Sequence, residues 1–445
     1  MRIRVDSIGC RLNIGEMDAL ARRFAASGHR IVGPGEGADL VVFNTCAVTH
    51  VASRKSRKVI RQLRRTIPDA KLVVTGCYAD LSPAETAALG VDLVVANADK
   101  DLLPGLLAER GLIASGEPGS ATDAACHGSL PGSRTRAFLK VQDGCDNRCT
   151  FCIVTVARGA ARSRSLSKVV EEVRDLAAMG YHEVVLTGVH LGSYGQDHGD
   201  RYGLETLLRT ILRETDIPRI RLSSLEPWDL RPDLFAMWSD PRVLPHLHLP
   251  LQSGCDATLA RMARRTSQRE FAGLLRAARE NIADVGISTD VIVGFPGESA
   301  GEFEESIDFV QAMGFSRLHV FRYSPRQGTT AALMPAQVAP EVTAERSARM
   351  HQLGASLDES FRRRFVGRDL AVLWESSEPF GSASRWSGLT GNYLRVVTEA
   401  PTGEDLHNAI EPTTILGAIP GALYGRSASS IESELFAPDP QVAAH

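Results

Sequence analysis

The feature that most constrains this chain is the placement of cysteines within a regular β–α alternation. Apolar strand-like runs at residues 3–8, 40–44, 72–75 and 91–96 alternate with helix-like stretches at 13–27, 52–66, 83–89 and 100–109. Such alternation predicts a parallel sheet with helices on its faces. Cys10 follows Arg4-Val-Asp-Ser-Ile-Gly, Cys46 follows Val41-Val-Phe-Asn-Thr, and Cys77 follows Val73-Val-Thr-Gly. All three therefore fall just past the carboxyl end of a strand. In an open parallel sheet those ends share the edge where ligands bind. Any one of these cysteines alone reads more readily as a core residue. Their joint placement predicts three thiolates converging on one cluster site.

A second set is contiguous. Cys145-Asp-Asn-Arg-Cys149-Thr-Phe-Cys152 follows the apolar run Ala137-Phe-Leu-Lys-Val-Gln. Three thiolates on one tight loop can hold three corners of a cubic iron–sulfur cluster, leaving one iron open to a small molecule, as a catalytic metal centre requires. The competing reading is zinc, with Cys126 or His127 as fourth ligand, although zinc sites usually come as two paired ligand hairpins. Cys255 reads as a small buried filler.

The 445 residues, with 43% hydrophobic and 23% charged, are expected to form several domains with ample core. After a Gly/Ser/Ala/Pro-rich linker at 114–135, a second alternation begins. Its strands are expected at 138–142, 183–187, 219–223, 246–251, 288–293 and 317–321. Six parallel strands with intervening helices predict a partial (β/α)6 barrel. An arginine-rich helix near 344–364 leads to turn-punctuated β patterning at 365–426, and 427–445 reads as a disordered tail. The expected division is 1–113, 136–364 and 365–426, an α/β chain ending in a small β-barrel. The formal charge of −3 leaves any nucleic-acid partner to local patches. No apolar run approaches the roughly 18 residues of a membrane span. The N-terminus enters a strand without a signal-peptide stretch, and eight cysteines suit a reducing compartment, so a cytoplasmic protein is expected.

Further segments make the pattern specific. They are Gly9-Cys-Arg-Leu-Asn, Asn44-Thr-Cys-Ala-Val-Thr, Thr75-Gly-Cys-Tyr-Ala, Arg158-Gly with Ser163-Arg-Ser, and Leu186-Thr-Gly-Val-His-Leu-Gly-Ser-Tyr-Gly. His248-Leu-Pro-Leu-Gln-Ser-Gly and Asp290-Val-Ile-Val-Gly-Phe-Pro-Gly-Glu298 complete the set. With these the chain resembles the radical S-adenosylmethionine (SAM) methylthiotransferases to about Arg426. Arg221-Leu-Ser-Ser-Leu-Glu-Pro227 and Phe321-Arg-Tyr-Ser-Pro-Arg-Gln-Gly-Thr329 resemble the branch that acts on threonylcarbamoyladenosine beside the tRNA anticodon. One departure stands out: Thr155 and Val156 occupy positions where the family has a proline and an aromatic residue.

The resemblance implies two [4Fe–4S] clusters, one on Cys145, Cys149 and Cys152 and one on Cys10, Cys46 and Cys77, with two SAM molecules consumed per methylthio group. The first cluster would cleave SAM to a radical that abstracts hydrogen from the adenine 2-position, and the second would present a methylated sulfur. Barrel strand ends would hold SAM, with Gly188 near the methionyl group, Ser224, Glu226 and Gln252 at its polar groups, and Ile292 and Val293 flanking the adenine. Implied partners are a tRNA anticodon stem-loop, a low-potential electron donor such as flavodoxin or ferredoxin, and a sulfur donor the sequence does not name; no membrane is implied. For RNA contact the candidates are the cation-rich window 54–65, Arg158, Arg162 and Arg164, and the segment Gly388-Leu-Thr-Gly-Asn-Tyr-Leu-Arg-Val, which resembles the RNA-binding TRAM barrel. Isopentenyladenosine in tRNA and a ribosomal-protein aspartate are alternative substrates; a non-enzymatic iron–sulfur carrier or RNA-binding sensor is the reading from a different class.

Overall fold

The computed structural model describes residues 1–113 and 134–430. Cys126 and His127, most of the expected linker and the tail from 431 onward lie outside the described residues.

Strands β1 (Arg2–Ser7), β2 (Arg30–Ile31), β3 (Leu40–Thr45), β4 (Lys71–Gly76) and β5 (Leu93–Val94) form a sheet in the order 2-1-3-4-5. Every pairing is parallel. The sequence reading lacked β2, because two residues carry no detectable period. Strand β3 is buried throughout, its residues alternating between two cores. Val41 and Phe43 pack with Leu72 and Val74, while Leu40 and Val42 pack with Ile3 and Val73. In this order the connections diverge between β1 and β3, opening a crevice at the carboxyl edge. Helices α1 (Arg11–Ala26), α2 (His50–Thr66) and α3 (Cys77–Leu81) all begin there.

The second alternation yields β6 (Arg136–Lys140), a small antiparallel pair β7 (Gln142–Asp143) and β8 (Arg162–Ser163), then β9 (Glu183–Thr187), β10 (Arg219–Leu222), β11 (His246–His248), β12 (Gly286–Val293) and β13 (Arg317–Arg322). Two parallel three-stranded sheets, β10-β9-β6 and β11-β12-β13, meet through isolated bridges at Ile220–Val243 and Ser224–His248. Alternate residues such as Leu139, Val184, Ile220, Leu247 and Val291 share one large core with the covering helices. The intervening residues face the other way, and Glu183, Thr187, Arg221, Ser223, His246, His248 and Asp290 make that interior wall polar. The fourth strand stops at His248, short of the expected 251, because Pro250 has no N–H to give the ladder; Gln252, at φ +75°, rejoins it only as a bridge to Val291.

A helix at Pro340–Arg363 leads into β14 (Asp369–Phe380), β15 (Ala383–Thr390), β16 (Arg395–Pro401), β17 (Ile410–Ile419) and β18 (Ala422–Arg426), which close into a barrel in the order 14-15-16-18-17. The β15–β16 turn docks against the amino ends of the central strands. Arg219 Nη2 donates to Leu389 O at 3.2 Å, and Arg221 Nη1 donates to Gly391 O at 2.8 Å. Tyr393 stacks on His246 with ring centroids 4.7 Å apart. The turn inside the segment expected to meet RNA is therefore an internal joint.

Candidate metal and substrate site

The three N-terminal cysteines converge. Cys10 caps α1, Cys77 opens α3, and Cys46 directly follows β3, so all lie on the crevice edge. Asn13 ties two of their loops together, its Nδ2 donating to Ile8 O at 2.8 Å and Thr45 O at 3.1 Å. The Asn13 Oδ1 faces Cys10 Sγ at 3.8 Å. The Cys46 backbone N donates to Ser56 Oγ at 3.2 Å, and that hydroxyl donates to Cys46 O at 2.8 Å. Gly9 takes φ +111°, and a Cβ there would lie 3.0 Å from Cys46 Sγ. Only glycine permits so close an approach of the two cysteine loops. Burial raises the Cys10 thiol above its ordinary value and pushes Cys46 up to about 11, with the neighbouring thiols adding to both shifts. A buried thiol of this kind becomes a ligand when a metal replaces its proton.

The contiguous set lies on the loop between β7 and β8. Gly144, at φ +68°, has no room for a side chain: a Cβ would come within 1.9 Å of Ala160 O. The Cys145 N–H donates to Gly159 O at 3.1 Å, closing the loop. Phe151 meets Phe295 edge-on, with centroids 6.4 Å apart, and so pins the loop to the end of β12. Arg264 Nη1 reaches Cys149 Sγ at 3.7 Å while its Nη2 binds Glu226 at 2.5 Å and Pro250 O at 2.7 Å. Burial pushes the Cys152 thiol up to about 11. His190 Nε2 pairs with Asp229 at 2.7 Å. Burial opposes the His190 charge, but hydrogen bonds to Asp229 and Cys145 outweigh it and lift the imidazole to about 10.

Both triplets suit a polynuclear cluster better than a single ion. A tetrahedral zinc draws its sulfurs to about 3.8 Å of one another. Among the described residues, the one group of ligand-type side chains that closes within 4.8 Å is His248, Asp290 and His319, on the interior wall.

The residues named for SAM distribute unevenly. Ser224 stands at the carboxyl end of β10, bridged to His248. Gln252 holds the left-handed backbone described above; its N–H donates to Asp290 O at 2.8 Å. Gly188 is tightly enclosed by the chain itself, since a Cβ would lie 2.9 Å from Gln142 Oε1 and 3.1 Å from Leu191 Cα. Ile292 packs in a satellite cluster with Phe151 and Phe295, beside the cysteine loop. Two of the named side chains are otherwise engaged. Glu226 is committed to Arg264, and Val293 is turned into the main core, 1% exposed. Sequence reasoning missed Thr187 and Ser223, whose buried hydroxyls at successive strand ends have no hydrogen-bond partner in the protein. The strand alternation was the signal: Ser223, two residues after Arg221, shares its wall, whereas Leu222 faces the core.

One buried network joins the two cysteine sites. The helix Val154–Arg158 starts two residues after Cys152 and packs on α3, whose first residue is Cys77. Asn97 Nδ2 donates to Ala157 O at 2.8 Å across this interface. Arg158, expected as an RNA contact, is buried instead. It donates to Glu16 and Asp143 at 2.9 Å each and to Asn13 Oδ1 at 2.8 Å. Glu16 also holds Lys100 at 2.6 Å and Lys140 at 3.3 Å, and these cations keep its carboxyl well below the usual range despite burial. Arg164 is likewise engaged, with Lys140 O and Glu172, whereas Arg162 is exposed. From the other side Arg326, after β13, contacts Ser53 Oγ at 3.2 Å at the start of α2, and its charge acts on Cys46.

A parallel sheet whose crevice gathers three cysteines, joined through buried charge to a six-stranded unit with a three-cysteine loop, defines a radical-SAM type of architecture. The Radical SAM superfamily matches residues 139–310, and the Uncharacterized protein family UPF0004 matches residues 2–96. The threonylcarbamoyladenosine tRNA methylthiotransferase MtaB of Bacillus subtilis is 36% identical over 421 residues, 93% of each chain. The tRNA-2-methylthio-N(6)-dimethylallyladenosine synthase of Acidothermus cellulolyticus is 36% identical over 386 residues, 84% of this chain and 78% of that protein. A radical SAM methyltransferase, TsrM of Kitasatospora setae, shares the fold with a TM-score of 0.55 at 13% identity, covering 74% of this chain and 77% of that one. The chain belongs to the radical-SAM methylthiotransferase family, and it is an enzyme of that class. Such enzymes work with SAM and [4Fe–4S] clusters. No helix among the described residues is long and apolar enough to cross a membrane.

Proposed function

We propose that this cytoplasmic enzyme installs a methylthio group at the adenine 2-position of threonylcarbamoyladenosine, next to the anticodon of tRNA. The observation that carries the reading is the placement of two cysteine triplets on either side of one buried interface, around Arg158 and Glu16. Relatives named for threonylcarbamoyladenosine, among them the Bacillus subtilis one aligned over 93% of both chains, support the substrate.

Cys145, Cys149 and Cys152 would hold one cluster, and Cys10, Cys46 and Cys77 the other. When bound, these groups and SAM supply radical generation and the sulfur and methyl that are transferred. The protein's own side chains do the positioning. Arg264 and His190 set positive charge against Cys149 and Cys145. The free hydroxyls of Thr187 and Ser223, together with Ser224 and the Gln252 side chain, would meet the polar groups of SAM at the strand ends, and Ile292 its adenine. Arg158 and Glu16 would hold the two sites in register. The units 1–113, 136–364 and 365–426 would serve respectively the auxiliary cluster, the SAM chemistry and the closure of the central unit. A low-potential donor such as flavodoxin or ferredoxin would supply electrons.

Nucleoside mass spectrometry on bulk tRNA from cells with and without the gene tests this. Loss of the methylthio group from threonylcarbamoyladenosine alone is the expected result. Loss from isopentenyladenosine would reassign the substrate, and survival of every methylthio nucleoside would overturn the tRNA reading.

A further inference from the structure

Helix α2 carries Arg54, Lys55, Arg57, Lys58, Arg61, Arg64 and Arg65, and no acidic residue. Two of these cations have structural partners. Arg57 pairs with Glu85 at 3.3 Å, and Arg64 with Asp92 at 2.6 Å. The other five are exposed and have no ion pair among the described residues. At about 100° per residue, Arg54, Lys58, Arg61 and Arg65 fall within about 60° of arc, forming one stripe. The buried residues Ser53, Ser56, Ile60 and Leu63 lie on the opposite side. Like charges spaced three and four residues apart repel one another on a helix, so the stripe works against the stability of its own helix. A solubilising surface would interleave both signs; only a polyanion turns this arrangement into a gain.

The position of the stripe identifies the polyanion. Helix α2 begins four residues after Cys46, with Thr49 as its N-cap, and Ser56 holds the Cys46 backbone. Arg326 reaches the same helix start. Its Nε is buried without a partner, and no carboxylate pairs with it among the described residues. From Arg54 to Arg65 the stripe runs about 16 Å away from the cysteine crevice. It ends at a surface cleft lined by Lys58, Arg61, Arg64, Arg65 and Leu89. In the C-terminal barrel, the turn of the segment 388–396 is docked on the central unit and is not offered to phosphates.

We propose that the exposed face of α2 is the phosphate track of the RNA substrate, leading its backbone from the cleft to the crevice that gathers Cys10, Cys46 and Cys77. This rests on the tRNA reading above, and the test separates the two. The full-length reconstituted enzyme is titrated with tRNA carrying threonylcarbamoyladenosine across a salt series. The triple variant Lys58→Gln/Arg61→Gln/Arg65→Gln is compared with wild type and with Lys168→Gln/Arg269→Gln/Arg276→Gln, which removes three exposed cations from helices of the central unit. The α2 variant should bind about tenfold or more weakly at 0.15 M salt, with the slope of log affinity against log salt reduced by about 2. SAM cleavage without tRNA should be unchanged, and the control variant should behave as wild type. An unchanged slope in the α2 variant, or an equal loss in the control, overturns the track. If tRNA binding is unchanged but electron delivery by flavodoxin falls, the stripe serves an acidic protein instead. Failure of wild type itself to bind tRNA overturns the underlying reading.

Discussion

Arg11 Nη2 donates to the Tyr393 hydroxyl at 2.7 Å, joining the first helix of the chain to a barrel turn 382 residues later. The same ring is stacked on His246 and flanked by Arg136 and Arg221, whose guanidinium carbons lie 5.6 and 4.6 Å from its centre. One phenol thus fastens all three units at the amino ends of the central strands. Its pKa is lowered below that of an ordinary tyrosine: the surrounding guanidiniums outweigh the burial that would raise it.

Removing that ring should loosen the whole assembly. Tyr393→Ala, which removes a half-buried aromatic with its ring contacts and hydrogen bonds, is expected to cost about 3 kcal/mol, and Tyr393→Phe about 1–3 kcal/mol for the charge-assisted hydrogen bonds. Denaturant unfolding of the purified enzyme reads both; a Tyr393→Ala midpoint equal to wild type would rule out the joint.

The Arg158–Glu16 pair should be equally sensitive. Breaking one partner of a buried ion pair costs about 3–5 kcal/mol because the other charge stays buried. Arg158→Ala should therefore unfold earlier and retain less iron at the N-terminal site. Iron analysis beside thermal unfolding tests this, and full iron content with unchanged stability would contradict it.

The two cysteine sets should separate genetically. Cys149→Ala is expected to abolish both SAM cleavage and tRNA modification. Cys46→Ala should spare cleavage, measured as 5′-deoxyadenosine, while preventing sulfur insertion. Insertion that survives in Cys46→Ala would refute the two-cluster assignment.

Acid should weaken the fold through the interior histidines. Burial holds His319 down at about 4 and His246 well below the ordinary 6.5. Between those limits the unfolded chain takes up protons that the folded chain refuses, so stability falls as pH drops through 6.5 and levels off, for His319, near 4. His319 accounts for roughly 3 kcal/mol of that loss. Urea midpoints at pH 7.5 and 5 should differ less in His319→Gln than in wild type; identical losses in the two proteins would discount His319.

Both cysteine triplets, the parallel alternation and the family were legible in the chain. Strand patterns and ligand spacing are local properties, so Cys10, Cys46 and Cys77 could be assigned to strand ends and Cys145, Cys149 and Cys152 to one loop before any contact was known. What a charged or polar side chain touches is a long-range property, and only the tertiary structure decided it. Arg158 read as an exposed RNA contact, yet Glu16, 142 positions earlier, buries it. Glu226 read as a ligand for SAM, and the structure pairs it with Arg264; Tyr393 read as part of an RNA-binding barrel, and its ring packs on the central unit. A buried charge must find its counter-charge wherever folding brings one near, and no pattern within a few residues encodes that partner.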